Sequence, residues 1–203
     1  MVAAGMPAGW CAGVQMMLAG WPQQELTVAE YRRCMDALDL LRDLTSRPRD
    51  AAERLRHQLG PVTLNARPGG HPNSVAWLLW HSGREIDVQL ADLSGSEQVW
   101  TAGGFDQRFG LGSIGDTVGY GHTAAEARRI IIEDGAGLLD YVHGTLAAME
   151  SYLGTLSAAA LDDTIDEQWD PPVTRGARLV SIVDDAIQHL AQAAYVLGMS
   201  LEE

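Results

Sequence analysis

The sequence predicts an all-α fold, an antiparallel four-helix bundle with one long crossover loop, and three observations support it. Four stretches repeat apolar residues at three- and four-residue steps, helix-starting and helix-ending residues flank them, and no stretch alternates strictly as a half-buried strand would. The first helix is expected from Thr27, where Val28, Tyr31, Met35, Leu38 and Leu41 or Leu44 share a face and Thr27 with Glu30 makes a Thr-x-x-Glu capping box. Pro48 should break or kink it, with Asp50 to Leu59 as a further helical stretch before Gly60-Pro61. Leu64 to Asn73 reads as a loop because it holds Pro68, Gly69, Gly70 and Pro72. Asn73 then caps a second helix that runs to about Leu93 and stops at Ser94-Gly95. Between Gln98 and Gly121 the chain is too glycine-rich for a helix or a paired sheet and reads as the long loop. A second capping box, Thr123-Ala-Ala-Glu126, opens a third helix through Ile130, Ile131, Leu138, Tyr141, Leu146, Met149 and Leu153. Trp169-Asp-Pro-Pro172 interrupts the chain, and Thr174 caps a last helix that reaches Leu197 and Gly198.

Composition narrows the function. The 203 residues suit one bundle, here placed at residues 27–199, with residues 1–26, uncharged up to Gln24, as an N-terminal extension, a disordered arm or an upstream start outside the fold. A net charge of −13 opposes any long phosphate-tracking surface, so nucleic acid is not an expected partner. Every one of the 14 basic residues is Arg; the absence of Lys excludes Schiff-base, phosphate-loop-lysine and protein-kinase chemistry. Cys11 and Cys34 are too few for a disulfide framework or a zinc knuckle. The N-terminal stretch lacks the cationic start of a signal peptide and no apolar run is long enough to span a membrane, so a cytoplasmic protein is expected.

Of six histidines, two have informative surroundings. At 100° per residue, His189 shares a stripe with Ile182, Ala186, Ala193 and Val196, and Asp185 lies one turn earlier on the same stripe. A carboxylate and an imidazole four residues apart on an apolar face can ligate one ion, or can bond to each other or to an Arg from a neighbouring helix. His81 lies mid-helix on a stripe with Ser74, Trp77, Leu78, Glu85 and Val88, beside Arg84, as expected of a helix facing a cavity; a purely structural histidine fits the same pattern. Brought together, the three make two imidazoles and one carboxylate around an open position, a catalytic rather than a structural stoichiometry.

The run Asn73-Ser-Val-Ala-Trp-Leu-Leu-Trp-His81, the long loop and helix after it, and Val180-Ser-Ile-Val-Asp-Asp-Ala-Ile-Gln-His189 before Ala193-Ala-Tyr-Val-Leu-Gly198 resemble the DinB-like superfamily, over roughly Thr27 to Met199. That group includes actinobacterial mycothiol-dependent S-transferases and the metal-binding domain of mycothiol-dependent maleylpyruvate isomerase. The resemblance implies a divalent metal, zinc or nickel, between one His of the second helix and a His-x-x-x-His pair of the last. His81 matches the first ligand and His189 the final one, whereas Asp185 stands where the pair has its first His. The carboxylate hardens the site, so zinc stays first and nickel, iron or manganese are the alternatives.

By the same resemblance the activity is metal-dependent S-transfer, with mycothiol as co-substrate and an electrophilic small molecule as acceptor. Glu85 would be a proton acceptor or would orient a ligand, and Trp77, Arg84, Arg108 and His122 would bind substrate. Duller roles stand beside these: a loop-anchoring guanidinium for Arg108, a helix N-terminal position for His122, and core or dimer-interface packing for Trp77. A homodimer is expected of such a bundle. The rival functions are a metal-dependent isomerase or biosynthetic thiol-exchange enzyme, and a non-catalytic metal- or ligand-binding bundle associated with stress.

Overall fold

The computed structural model describes residues 35–199. Helix α1, Ala37–Leu55, starts at a capping box of two acids: the Asp36 carboxylate accepts from the Asp39 amide at 2.9 Å, and that of Asp39 accepts from the Asp36 amide at 3.5 Å. The Thr27–Glu30 box, the 26/27 boundary, Cys11 and Cys34 lie outside the described residues. The expected break at Pro48 does not occur, since α1 runs through it. Leu41, Thr45, Pro48, Ala52 and Leu55 form one buried face, and this packing outweighs the single backbone bond the proline forgoes. Asp50–Leu59 is therefore the end of α1 followed by the 3-10 turn Arg56–Gln58 rather than a separate helix. The expected loop from Leu64 contains part of a short helix α2, Pro61–Asn65, and a 3-10 turn at Pro68–Gly70.

Helix α3, Val75–Ser94, is capped by Ser74, whose hydroxyl accepts from the Trp77 amide at 3.2 Å; Asn73 is not the cap. Gly95 ends it in the left-handed conformation, φ 70°. The crossover then forms short helices α4 (Val99–Ala102), α5 (Phe105–Phe109) and α6 (Ala124–Ala127). The Thr123–Glu126 box is real but caps only α6, and the third long helix, α7, begins at Gly135 with Asp134 as its cap. Ile130 and Ile132 between them are buried outside any helix, so their apolarity marks core contact and not helical phase. A Cβ at Gly135 would stand 2.4 Å from the Leu59 carbonyl oxygen, so this glycine admits a close backbone approach at the start of α7.

Helix α7 runs to Thr155, and a 3-10 turn at Ala158–Asp162 leads into a small antiparallel ribbon the sequence pattern does not show: β1, Thr164–Asp166, against β2, Val173–Thr174. Helix α8, Arg175–Gly198, follows with Thr174 as its cap, as expected. The long helices form a bundle in which α3 packs on α7 and α8, and α1 packs on the same two from the other side. Helices α3 and α8, distant in sequence, are thus neighbours. Among the described residues no helix is long and apolar enough to cross a membrane.

The crossover is tied to the bundle through a buried polar network. Asp87 accepts from the Val99 and Trp100 amides at 2.7 and 2.8 Å and from the Tyr141 hydroxyl at 3.0 Å, with the Arg84 guanidinium 3.6 Å away. Arg84 donates in turn to the carbonyls of Asp116 and Thr117 and to Gln98. Burial first, and the Asp87 charge second, push the Tyr141 hydroxyl well above its ordinary pKa. These bonds fix residues 98–118 against α3 and α7, which places the next segment, Val118 to His122, beside His81.

Candidate metal centre

Helices α3 and α8 bring His81, Asp185 and His189 together, with one donor atom from each lying within 4.8 Å of the others. The two imidazole centroids are 4.6 Å apart and nearly perpendicular. His189 Nε2 is 3.4 Å from Asp185 Oδ1, as one helical turn dictates. Backbone and side-chain oxygens set the tautomers. His81 Nδ1 donates to the Val118 carbonyl and His189 Nδ1 to Gln192 Oε1 at 2.9 Å, which leaves a lone pair on the Nε2 of each ring.

A divalent ion fits this donor set. Asp185 Oδ2 is buried with no hydrogen-bond partner among the described residues, and a cation beside a carboxylate oxygen so shielded would stabilise it. Two neutral imidazoles and one carboxylate would hold such an ion with positions left for substrate.

The three side chains lie on a cleft of about 850 Å³, with Trp77, Glu85, Gly119 and His122 also on its walls. Trp77 stacks on His81, centroids 4.5 Å apart, and lies nearly perpendicular to His189. Its indole N–H donates to His122 Nδ1 at 3.3 Å, while His122 Nε2 faces the Thr117 hydroxyl at 3.0 Å and the ring stacks on Trp80. His122 therefore braces the wall as well as lining the cleft. Gly119 adopts φ 91°, and a Cβ there would lie 2.9 Å from His81 Nδ1 and from the Trp80 ring, so a side chain would displace the carbonyl that orients His81. Glu85 Oε1 is 4.0 Å from His81 Nδ1, and its Oε2 accepts from Gln89. Burial, then the nearby Asp185 charge, raise the Glu85 carboxyl above its ordinary value.

Two expected substrate residues are elsewhere. Arg84 is 2% exposed with its guanidinium committed to the crossover carbonyls and Asp87, so it is an anchor and not a cleft residue. Arg108 sits on α5 and bonds to Asp134 at 2.7 Å and Asp140 at 3.5 Å, bracing the start of α7 away from the cleft. Conversely, Val118, Gly119, Gln192 and Arg178 belong to the site without having been singled out by the sequence. A backbone carbonyl has no sequence signature, whereas Gln192 at three residues after His189 and Arg178 at seven before Asp185 were findable from the same helical stripe.

The pKa values of His81 and His189 are shifted in opposite directions. Burial lowers His81, only partly offset by the Val118 carbonyl. Burial also opposes protonation of His189, but the Asp185 carboxylate and Gln192 together outweigh it, and the net shift is upward. A raised folded value means the His189–Asp185 pair stabilises the metal-free protein fully below the unfolded value, about 6.5, and loses that contribution as pH rises through the folded one. A ligating His189 must be neutral, so the affinity for zinc should fall as pH drops through that raised value. Imidazole NMR of chelator-treated protein should show His189 titrating above His81, with zinc abolishing both titrations; a zinc affinity independent of pH from 5.5 to 8, roughly the range in which imidazoles titrate, would contradict this.

The sequence model of the DinB superfamily matches residues 37–193. Among solved structures, the crystal structure of a conserved protein from Enterococcus faecalis is similar, at 34% identity and a TM-score of 0.74, over 81% of this chain and 96% of that one. No curated protein matches.

Proposed function

The chain belongs to the DinB superfamily, which includes metal-dependent enzymes, and on that premise we propose that it is a metal-dependent thiol S-transferase that couples a low-molecular-weight thiol to an electrophilic small molecule. One observation carries the reading: His81, Asp185 and His189 converge on a cleft, with Asp185 Oδ2 buried and without a hydrogen-bond partner among the described residues. Zinc is the proposed ion and mycothiol the proposed thiol, the latter by family resemblance.

A divalent cation held by these three residues supplies Lewis acidity that lowers the proton affinity of a thiol. The chain's own groups do the rest. Glu85 Oε1, free of hydrogen-bond partners among the described residues and on a carboxyl that burial holds above its ordinary pKa, takes the thiol proton. The sulfur forms a bond to the electrophilic carbon, whose leaving group departs with the electron pair of the broken bond. Trp77 holds His81 in plane and covers one side of the cleft, limiting access of water.

The test combines elemental analysis of protein purified without an affinity tag with a mass-spectrometric screen of mycothiol against a panel of electrophiles. About one divalent ion per chain and an S-conjugate are expected. Glu85→Gln should keep the ion and lose about a hundredfold in turnover. Bound metal with no conjugate from any thiol would favour a binding bundle, and an isomerised product would favour the isomerase reading.

A further inference from the structure

Within the same cleft, Arg178 is a charged side chain whose partner among the described residues is Asp166, in a loose ion pair. It lines the cavity on α8 seven residues before Asp185, so it projects from nearly the same face about 10 Å along the helix axis. Its guanidinium makes no hydrogen bond among the described residues; one nitrogen lies 3.6 Å from Asp166 Oδ2 on β1, beyond hydrogen-bonding range. The contrast with other shielded arginines is sharp. Arg84 and Arg67 are bonded to backbone carbonyls, and Arg175 to Tyr152 and Asp163.

Two aromatic side chains flank the same opening. Trp169, in the turn between β1 and β2, is 65% exposed, and Tyr120, in the crossover, is 88% exposed. Large aromatic surfaces left in water at the mouth of a polar cleft fit a ligand with a flat or apolar body. Besides the histidines and Arg178, the charged residues among those described on the walls, Glu85 and Asp185, are acidic, in a protein of net charge −13. Away from the histidine cluster and any ion it holds, an anionic ligand would therefore find its favourable contact at Arg178, where a planar fork of N–H donors matches a carboxylate.

We propose that Arg178 is the carboxylate-binding subsite of this cleft: it holds an organic acid whose apolar part lies against Trp169 and Tyr120 and whose other end reaches the His81–Asp185–His189 cluster. This deepens the transferase reading by naming a carboxylate-bearing substrate, and it rests on that reading only in taking the cleft as the substrate site. Asp166 is the resident competitor that keeps Arg178 extended between ligands.

Binding of 4-(trifluoromethyl)benzoate and of its uncharged amide to the full chain, followed by fluorine NMR with and without zinc, tests the subsite. The benzoate should bind about tenfold or more tightly than the amide in both metal states. Arg178→Met should bring the two ligands to parity, Arg178→Lys should retain part of the preference, and Asp166→Asn should tighten the benzoate. Equal binding of acid and amide to the unaltered protein, or a preference that survives Arg178→Met, would overturn the proposal. A preference confined to the zinc-loaded protein would also overturn it, since the acid would then be ligating the ion. Failure of the transferase reading is seen separately, as absence of an S-conjugate from protein whose acid preference is intact. With active protein, carboxylated electrophiles against their amides, and glutathione against its diester, show which co-substrate carries the acid.

Discussion

Replacing His81 or His189 by alanine should reduce zinc affinity by more than a hundredfold and abolish S-conjugate formation, with the helical circular dichroism retained. Groups that merely orient a metal ligand are worth about 10- to 100-fold in affinity, so removal of a direct ligand should exceed that range. The two variants differ in structural cost. His189 is half-buried at the cleft edge, whereas His81 is 5% exposed, stacked on Trp77 and bonded to the Val118 carbonyl, so His81→Ala also opens a void. His81→Asn retains a polar side chain in that position and separates loss of ligation from loss of packing. Elemental analysis after dialysis against a weak chelator, together with thermal unfolding, measures both effects. Stoichiometric zinc in either alanine variant would remove the metal centre from the account, whatever the activity.

Asp87→Ala should cost about 3–5 kcal/mol of stability, although Asp87 touches neither the cluster nor the cleft. Its removal leaves the Arg84 guanidinium buried without its counter-charge and strips the acceptor from the Val99 and Trp100 amides and the Tyr141 hydroxyl. The melting temperature should fall by about 10 °C for a domain of this size. Asp87→Asn, which keeps one acceptor oxygen without the charge, should lie between. Because Arg84 holds the carbonyls of Asp116 and Thr117, and Val118 next in the chain orients His81, the loss should also weaken zinc binding. Urea unfolding of the metal-free proteins isolates the first effect from the second. A change below about 1 kcal/mol would mean that water or a rearranged side chain replaces Asp87 in the network.

Both outcomes turn on contacts of different reach along the chain. The stripe arithmetic that places Asp185 and His189 on one face of α8 spans a single turn, and so does the cap that Thr174 provides for that helix. Interactions of this range are written in neighbouring residues and were legible directly, as was the presence of His81 on a helix with a mixed face. The choice of Ser74 over Asn73 as the cap of α3 and the late start of α7 after a genuine capping box show the limit of local signals. Several sites offered the right side chain, and packing chose among them.

The amino-acid sequence by itself determined the four helical segments, the residue types able to ligate a cation and the exclusion of lysine chemistry, because periodicity, caps and composition act over a few residues. Only the tertiary structure decided that α3 and α8 adjoin, that Val118 fixes the His81 tautomer, and that Arg84 anchors the crossover while Arg178 faces the cleft. Those outcomes depend on which distant segments share a core. The free energy of burying apolar surface and satisfying buried polar groups is a property of the whole packed chain, and no single stretch of it carries that information.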